Sequence, residues 1–238
     1  MKTTTDPALT GKVALIIGAG RPLGRALALS LARAGVAIAA HDLAPNHLQE
    51  TRRAVEHLGA RCQTYTSDTG KGLSARSLLD DVLTDFEGLD ILAHCLHISP
   101  PAGLLALDEW DWQRTLEINL SGPFLLLQAA AGVMREQGGG TIINILSTPP
   151  DDIPLAMSAS QYGLSGLTKW AAAELLTYNI NCYAVEAGSI NVQAETVPAA
   201  GGPHLSNSLE VLANLVVRLC TTDPERWIGK VIRLEEIA

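Results

Sequence analysis

Short apolar segments alternate with longer amphipathic ones along the whole chain, and that rhythm leaves few folds open. Lys12–Ile17, Val36–His41, Arg61–Thr66, Leu89–His94, Thr141–Leu146, Ile180–Val185 and Lys230–Leu234 read as strands. Between them Leu23–Ala34, about Pro45–Leu58, Leu73–Phe86, Leu107–Gln137, Ser158–Thr177 and Ser208–Cys220 read as helices, the longest interrupted near Ser121-Gly122-Pro123. Strands that are apolar throughout must be covered on both faces. Alternation with helices supplies those covers when the strands pair in parallel. The prediction is a three-layer, doubly wound parallel α/β sheet. No repeat or low-complexity tract divides the chain. Gln193–Ser206, rich in Ala, Gly and Pro, reads as a loop rather than a linker, so residues 1–238 are expected to form one domain.

Composition supports the layers and narrows the partners. Hydrophobic residues make up 47% and aromatics only 4%, a mix suited to helix–sheet contacts rather than to a β sandwich. A net charge of −8 excludes a general binder of nucleic-acid backbones. Met1–Gly11 is polar, with none of the apolar core of a signal peptide. Runs such as Val13–Ile17 are too short to span a bilayer. Cys62, Cys95, Cys182 and Cys220 form no C-x-x-C pair, which predicts reduced thiols in a cytoplasmic protein. His41, His47, His57 and His204 show no metal-ligand spacing, so no metal site is expected.

One turn stands out. Ile17-Gly18-Ala19-Gly20-Arg21-Pro22-Leu23-Gly24 lies between the first strand and the first helix. A glycine turn there turns backbone amides and a helix N-terminus toward a pyrophosphate, although such turns also serve plain strand-to-helix packing. Asp42, followed by Leu43, ends the second strand 18 residues after Gly24. That is close to the spacing of a carboxylate that takes a ribose 2′-hydroxyl and repels a 2′-phosphate. Its alternative role is a turn or N-cap before Pro45.

The segment Ser158–Leu175 (SASQYGLSGLTKWAAAEL) resembles the active-site helix of the short-chain dehydrogenase/reductase family, which writes Tyr-Ser-Ala-Ser-Lys at its start. The glycine turn resembles that family's T-G-x-x-x-G-I-G at Gly18, Leu23 and Gly24, and departs from it at Ile17 and Pro22. The resemblance runs from Leu9-Thr10-Gly11-Lys12 to Ile228-Gly229-Lys230-Val231. It implies about seven strands in the order 3-2-1-4-5-6-7, and a dinucleotide held by Gly18, Arg21, Leu23, Gly24, Asp42, Leu43, Asp68, Cys95 and Leu96. Asp68 matches the family aspartate at the adenine, or else forms an Asx turn. Ser147 matches the substrate-orienting serine, or else caps the strand end before Pro149-Pro150. Asn119 matches the asparagine that helps the catalytic lysine hold a water, or else is a buried asparagine at a helix kink.

The resemblance fails where the chemistry should be. The family tyrosine passes the alcohol proton, and its lysine lowers the tyrosine pKa and binds ribose hydroxyls. Here Met157 stands in the tyrosine position and Gln161 in the lysine position. A thioether has no ionisable proton and a carboxamide no charge. His94-Cys95-Leu96-His97 replaces the small Asn-Asn-Ala-Gly, and Val192 replaces a threonine that holds the carboxamide. Tyr162 and Lys169 show the wider Tyr-x6-Lys spacing of enoyl-reductases, but Lys169 falls beyond the place where either group keeps its lysine.

Three readings follow. The first is an NAD-binding but non-catalytic or weakly active member, with NADP disfavoured. The second is an NAD(P)-dependent oxidoreductase of a carbonyl or alcohol that uses another acid, such as His94, His97 or Tyr162. The third is a structural partner in which Pro22 and Leu96 plug the groove. The resemblance also implies a homodimer or homotetramer joined through the two long helices, with Ala171-Ala172-Ala173 in close approach and Trp170 as anchor.

Overall fold

Parallel strands that are buried on both faces form the centre, as their unbroken Val, Ile, Leu and Ala content requires. The computed structural model describes residues 6–147, 154–187, 207–221, 227 and 230–233. The order is β1 (Val13–Ile17), α1 (Pro22–Arg33), β2 (Ala37–Asp42), α2 (Leu48–His57), β3 (Cys62–Thr66) and α3 (Gly72–Phe86). Then come β4 (Ile91–His94), α4 (Glu109–Leu116), a wide π turn (Glu117–Ser121) and α5 (Gly122–Gln137). β5 (Gly140–Leu146), α6 (Leu155–Leu175), a 3-10 turn (Leu176–Tyr178), β6 (Ile180–Glu186), α7 (Asn207–Leu219) and β7 (Val231–Arg233) complete the described elements.

The strands form one sheet in the order β3-β2-β1-β4-β5-β6-β7, every pair parallel. Chain order and sheet order part company between β1 and β4, where the windings of the two halves diverge and ligands of open α/β sheets bind. Alternate side chains of each strand feed two cores. Ala14, Ile16, Ile38 and Ile91 pack with α1, α2 and α7, while Leu15, Ile17, Ala39 and Leu92 pack with α3, α5 and α6. The three-layer expectation is met.

Two helix starts differ by three residues from the sequence reading, each for a local reason. Residues 45–47 form a turn closed by Leu48 N–H to Pro45 C=O, so α2 starts three residues later. α6 starts three residues earlier, at Leu155 directly after Pro154, whose extended ψ of 140° ends the preceding segment. Helix Glu109–Gln137 runs through the π turn and is long and apolar enough to cross a bilayer by length and composition. In this fold it lies beside α3 and over β4, β5 and β6. Val192, the loop Gln193–Ser206, Pro149-Pro150 and His204 lie outside the described residues.

Candidate active site and its two unequal ends

The glycine turn is held rigidly from below. The N–H groups of Gly18 and Ala19 both donate to the His41 carbonyl at 2.8 Å, and Arg21 N–H donates to Gly18 C=O at 2.9 Å. Thr51 on α2 donates its hydroxyl to the Ala19 carbonyl at 2.9 Å, a buried clamp that no sequence motif signals. Gly18 has φ of +90°, and a Cβ there would come within 3.0 Å of the Leu96 amide nitrogen. A Cβ on Gly24 would overlap the Gly18 carbonyl. Only glycine lets β1, α1 and the β4 end approach so closely. Pro22 opens α1 without an N–H and Leu23 is buried, which leaves the amides of Leu23 and Gly24 as the donors of the first turn.

Asp42 lies beside that turn with its side chain 2% exposed. One carboxylate oxygen accepts from Ala44 N–H at 3.2 Å, the Asx turn anticipated as its alternative role. The other, Oδ2, is buried without a hydrogen-bond partner; Arg21 Nε stands 3.6 Å away. Arg21 meets its charge, but no donor lies within hydrogen-bond distance of this buried oxygen, a deficit that a ligand hydroxyl would make good. Turn-forming and ligand-binding geometry therefore coexist in this one residue. Leu43 is half-buried against the α3 side of the core.

Asp68 is different. Its Oδ1 accepts from Gly70 N–H at 3.2 Å and its Oδ2 pairs with Arg114 at 3.0 Å. Both oxygens are engaged within the chain, which is the Asx-turn alternative. Arg114 also bonds Glu117 at 3.0 Å, so it ties the β3–α3 turn to α4.

The other end of the crevice is closed by its own hydrogen bonds. Ser147, just past β5, has its Oγ 2.8 Å from His97 Nε2. Its N–H donates to Gln161 Oε1 at 2.9 Å. Met157 is 3% exposed, and its Sδ accepts from Asn119 Nδ2 at 3.3 Å. Asn119 sits in the π turn, where its amide bonds both the N–H and the C=O of Ile98 at 2.8 Å, and donates to Ser160 Oγ at 3.1 Å. That is the helix-kink role, now with a named partner. Burial pushes His97 down to about 4, with Arg21 acting in the same direction, so the ring is neutral at pH 7.

Several expected roles need correction. Leu96 does not plug the crevice: its side chain packs in the core with Leu15, Ile17 and Leu92, and only its backbone faces Gly18. The Cys95 side chain enters the opposite core, and burial raises its thiol pKa. Both side chains lie in the cores beneath the crevice, which leaves their backbone as the part that faces it. Tyr162 is 75% exposed and Lys169 is also exposed, so the Tyr-x6-Lys alternative points away from Ser147. Of the candidate acids His94, His97 and Tyr162, the one that bonds Ser147 is His97. The plugged-groove reading loses Leu96, and Pro22 is a half-exposed residue in the first turn of α1.

Comparison with known proteins fits this frame. The short chain dehydrogenase family model matches residues 12–199. An uncharacterized oxidoreductase of Thermotoga maritima is 31% identical over 231 residues, spanning 96% of this chain and 87% of that protein. The mouse (3R)-3-hydroxyacyl-CoA dehydrogenase is 35% identical over 194 residues, 76% of this chain and 75% of its own. Among solved structures, an NAD+-bound xylitol dehydrogenase superposes with TM-score 0.81 at 25% identity, covering 94% of this chain and 98% of that one. A metagenomic short-chain oxidoreductase in complex with NADP gives the same TM-score at 26% identity, over 95% and 98%. With its glycine turn, its sheet order and the family match over most of its length, the chain belongs to the short-chain dehydrogenase/reductase family.

Proposed function

We propose that this protein binds NAD in the crevice above β1 and β4 and has lost, or nearly lost, the family's oxidoreductase chemistry. The observation that carries the reading is the contrast between the two ends. Asp42 Oδ2 is buried without a hydrogen-bond partner at the adenosine end. At the chemical end Met157 and Gln161 fill the tyrosine and lysine positions with their polar atoms tied to Asn119 and Ser147. Gly18 and Gly24 let the turn close against β4 and α1, the Leu23 and Gly24 amides at the start of α1 donate to a diphosphate, and Arg21 adds charge. Asp42 takes the adenosine ribose hydroxyls, and its charge disfavours a 2′-phosphate. A bound nicotinamide supplies hydride acceptance or donation. Beside it this chain offers neither the phenol nor the ammonium that moves the alcohol proton.

The 2.8 Å contact between Ser147 and His97 favours one second reading, an enzyme in which His97 replaces the tyrosine. Burial holds the His97 pKa down at about 4, so the ring is neutral at pH 7. It suits a base for alcohol oxidation better than an acid for ketone reduction.

Isothermal titration with NAD and NADP tests the binding half. NAD binds, NADP binds at least tenfold more weakly, and Asp42→Ala costs NAD about tenfold or more. Tight NADP binding without NAD binding refutes the assignment of Asp42. The family resemblance supports a single cytoplasmic domain in a homodimer or homotetramer, and Trp170 at 79% exposure and Phe124 at 43% leave apolar surface on α6 and α5 for it. A monomer in light scattering at micromolar concentration contradicts the assembly.

A further inference from the structure

Resting on the NAD-binding reading, we propose that the crevice recognises only the adenosine diphosphate-ribose half of the dinucleotide. ADP-ribose, NAD and NADH are then equivalent ligands, and the protein reports adenine nucleotide without sensing its redox state. The determinants of binding all lie on one side. Asp42 Oδ2 is the buried acceptor that a ribose hydroxyl completes. Gly20 packs directly against that oxygen, where a Cβ would come within 2.9 Å of it, so any side chain at position 20 would displace the carboxylate. Arg21, 3.6 Å from Asp42 and close enough to His97 to help hold it neutral, places a positive charge beside the first turn of α1, where a diphosphate would lie.

The other side is already complete. His97 and Gln161 are each 6% exposed and Met157 is 3% exposed. His97 spends Nε2 on Ser147 Oγ, Gln161 spends Oε1 on Ser147 N–H, and Met157 accepts from Asn119. A nicotinamide ribose entering here must break these bonds and finds no ammonium at Gln161 in return. Displacing satisfied buried groups without replacing their bonds gains no affinity. The nicotinamide half therefore stays outside, in solvent.

Titration of the full chain with ADP-ribose, NAD and NADH is the test, joined to saturation-transfer NMR on bound NAD. The three dissociation constants should agree within about threefold. Transfer should reach the adenine protons and leave those of nicotinamide unaffected. Asp42→Ala should weaken all three ligands in parallel. NAD or NADH binding at least tenfold tighter than ADP-ribose, or nicotinamide protons saturated as strongly as adenine ones, overturns this inference while leaving NAD binding intact. Failure of every ligand to bind overturns both.

Discussion

At the residue scale the site depends on a few positions where one atom decides. Gly24 is the clearest, because any Cβ there overlaps the Gly18 carbonyl. Both partners are backbone, so relief requires moving β1 against α1. Gly24→Ala should destabilise the fold by about 1–3 kcal/mol and abolish nucleotide binding. Urea denaturation and calorimetry check the two effects separately. Much of this was legible in the sequence, since glycine spacing and the Asp42 interval are local marks. The pairing of His97 with Ser147 was not, because the two are 50 residues apart and meet only through the β4–β5 register. The Thr51 clamp and the Arg114 clasp on Asp68 were equally invisible. Leu96 shows the reverse error, since its size suggested a plug while its side chain packs in the core beyond the end of β4.

At the element scale the π turn is the informative irregularity. The Ser121-Gly122-Pro123 triplet marked an interruption in the long helix, and the widened turn lies just before it, at Glu117–Ser121. Gly122 makes room there, since its Cβ would stand 3.1 Å from the Thr69 carbonyl. The extra residue turns Asn119 inward, where it acts as a backbone partner for Ile98 in both directions. Asn119→Leu should strand a buried N–H and C=O and cost about 2–4 kcal/mol. Chemical denaturation would measure it, and a loss below about 0.5 kcal/mol would contradict this role. Strand positions were readable because buried parallel strands are uniformly apolar. Helix starts were less so, because Pro45 and Pro154 fix turns whose closure depends on neighbouring backbone.

At the scale of the whole molecule, three buried histidines make stability depend on pH. Burial lowers His41 to about 4, His94 to about 3 and His97 to about 4. In the unfolded chain each titrates near 6.5. The unfolded state therefore takes up protons first on acidification. The stability these rings contribute is present above pH 6.5 and is lost as pH falls toward 4. The slope approaches 1.4 kcal/mol per pH unit for each histidine. Melting temperatures between pH 7 and 4.5 should fall steeply, and His94→Leu should flatten the curve. Of the three only His41 was a scattered histidine in the sequence; its place on the β2 end, across Ile17 of β1 from His94, comes from the topology.

We propose a short-chain dehydrogenase scaffold that keeps its nucleotide crevice without the means to move a proton. Reduced-nicotinamide absorbance on the purified wild-type protein, with saturating cofactor and a panel of alcohols and carbonyls, tests this in one measurement. No turnover above the uncatalysed rate is expected in either direction. Rapid, stereospecific turnover that disappears in His97→Ala would contradict it.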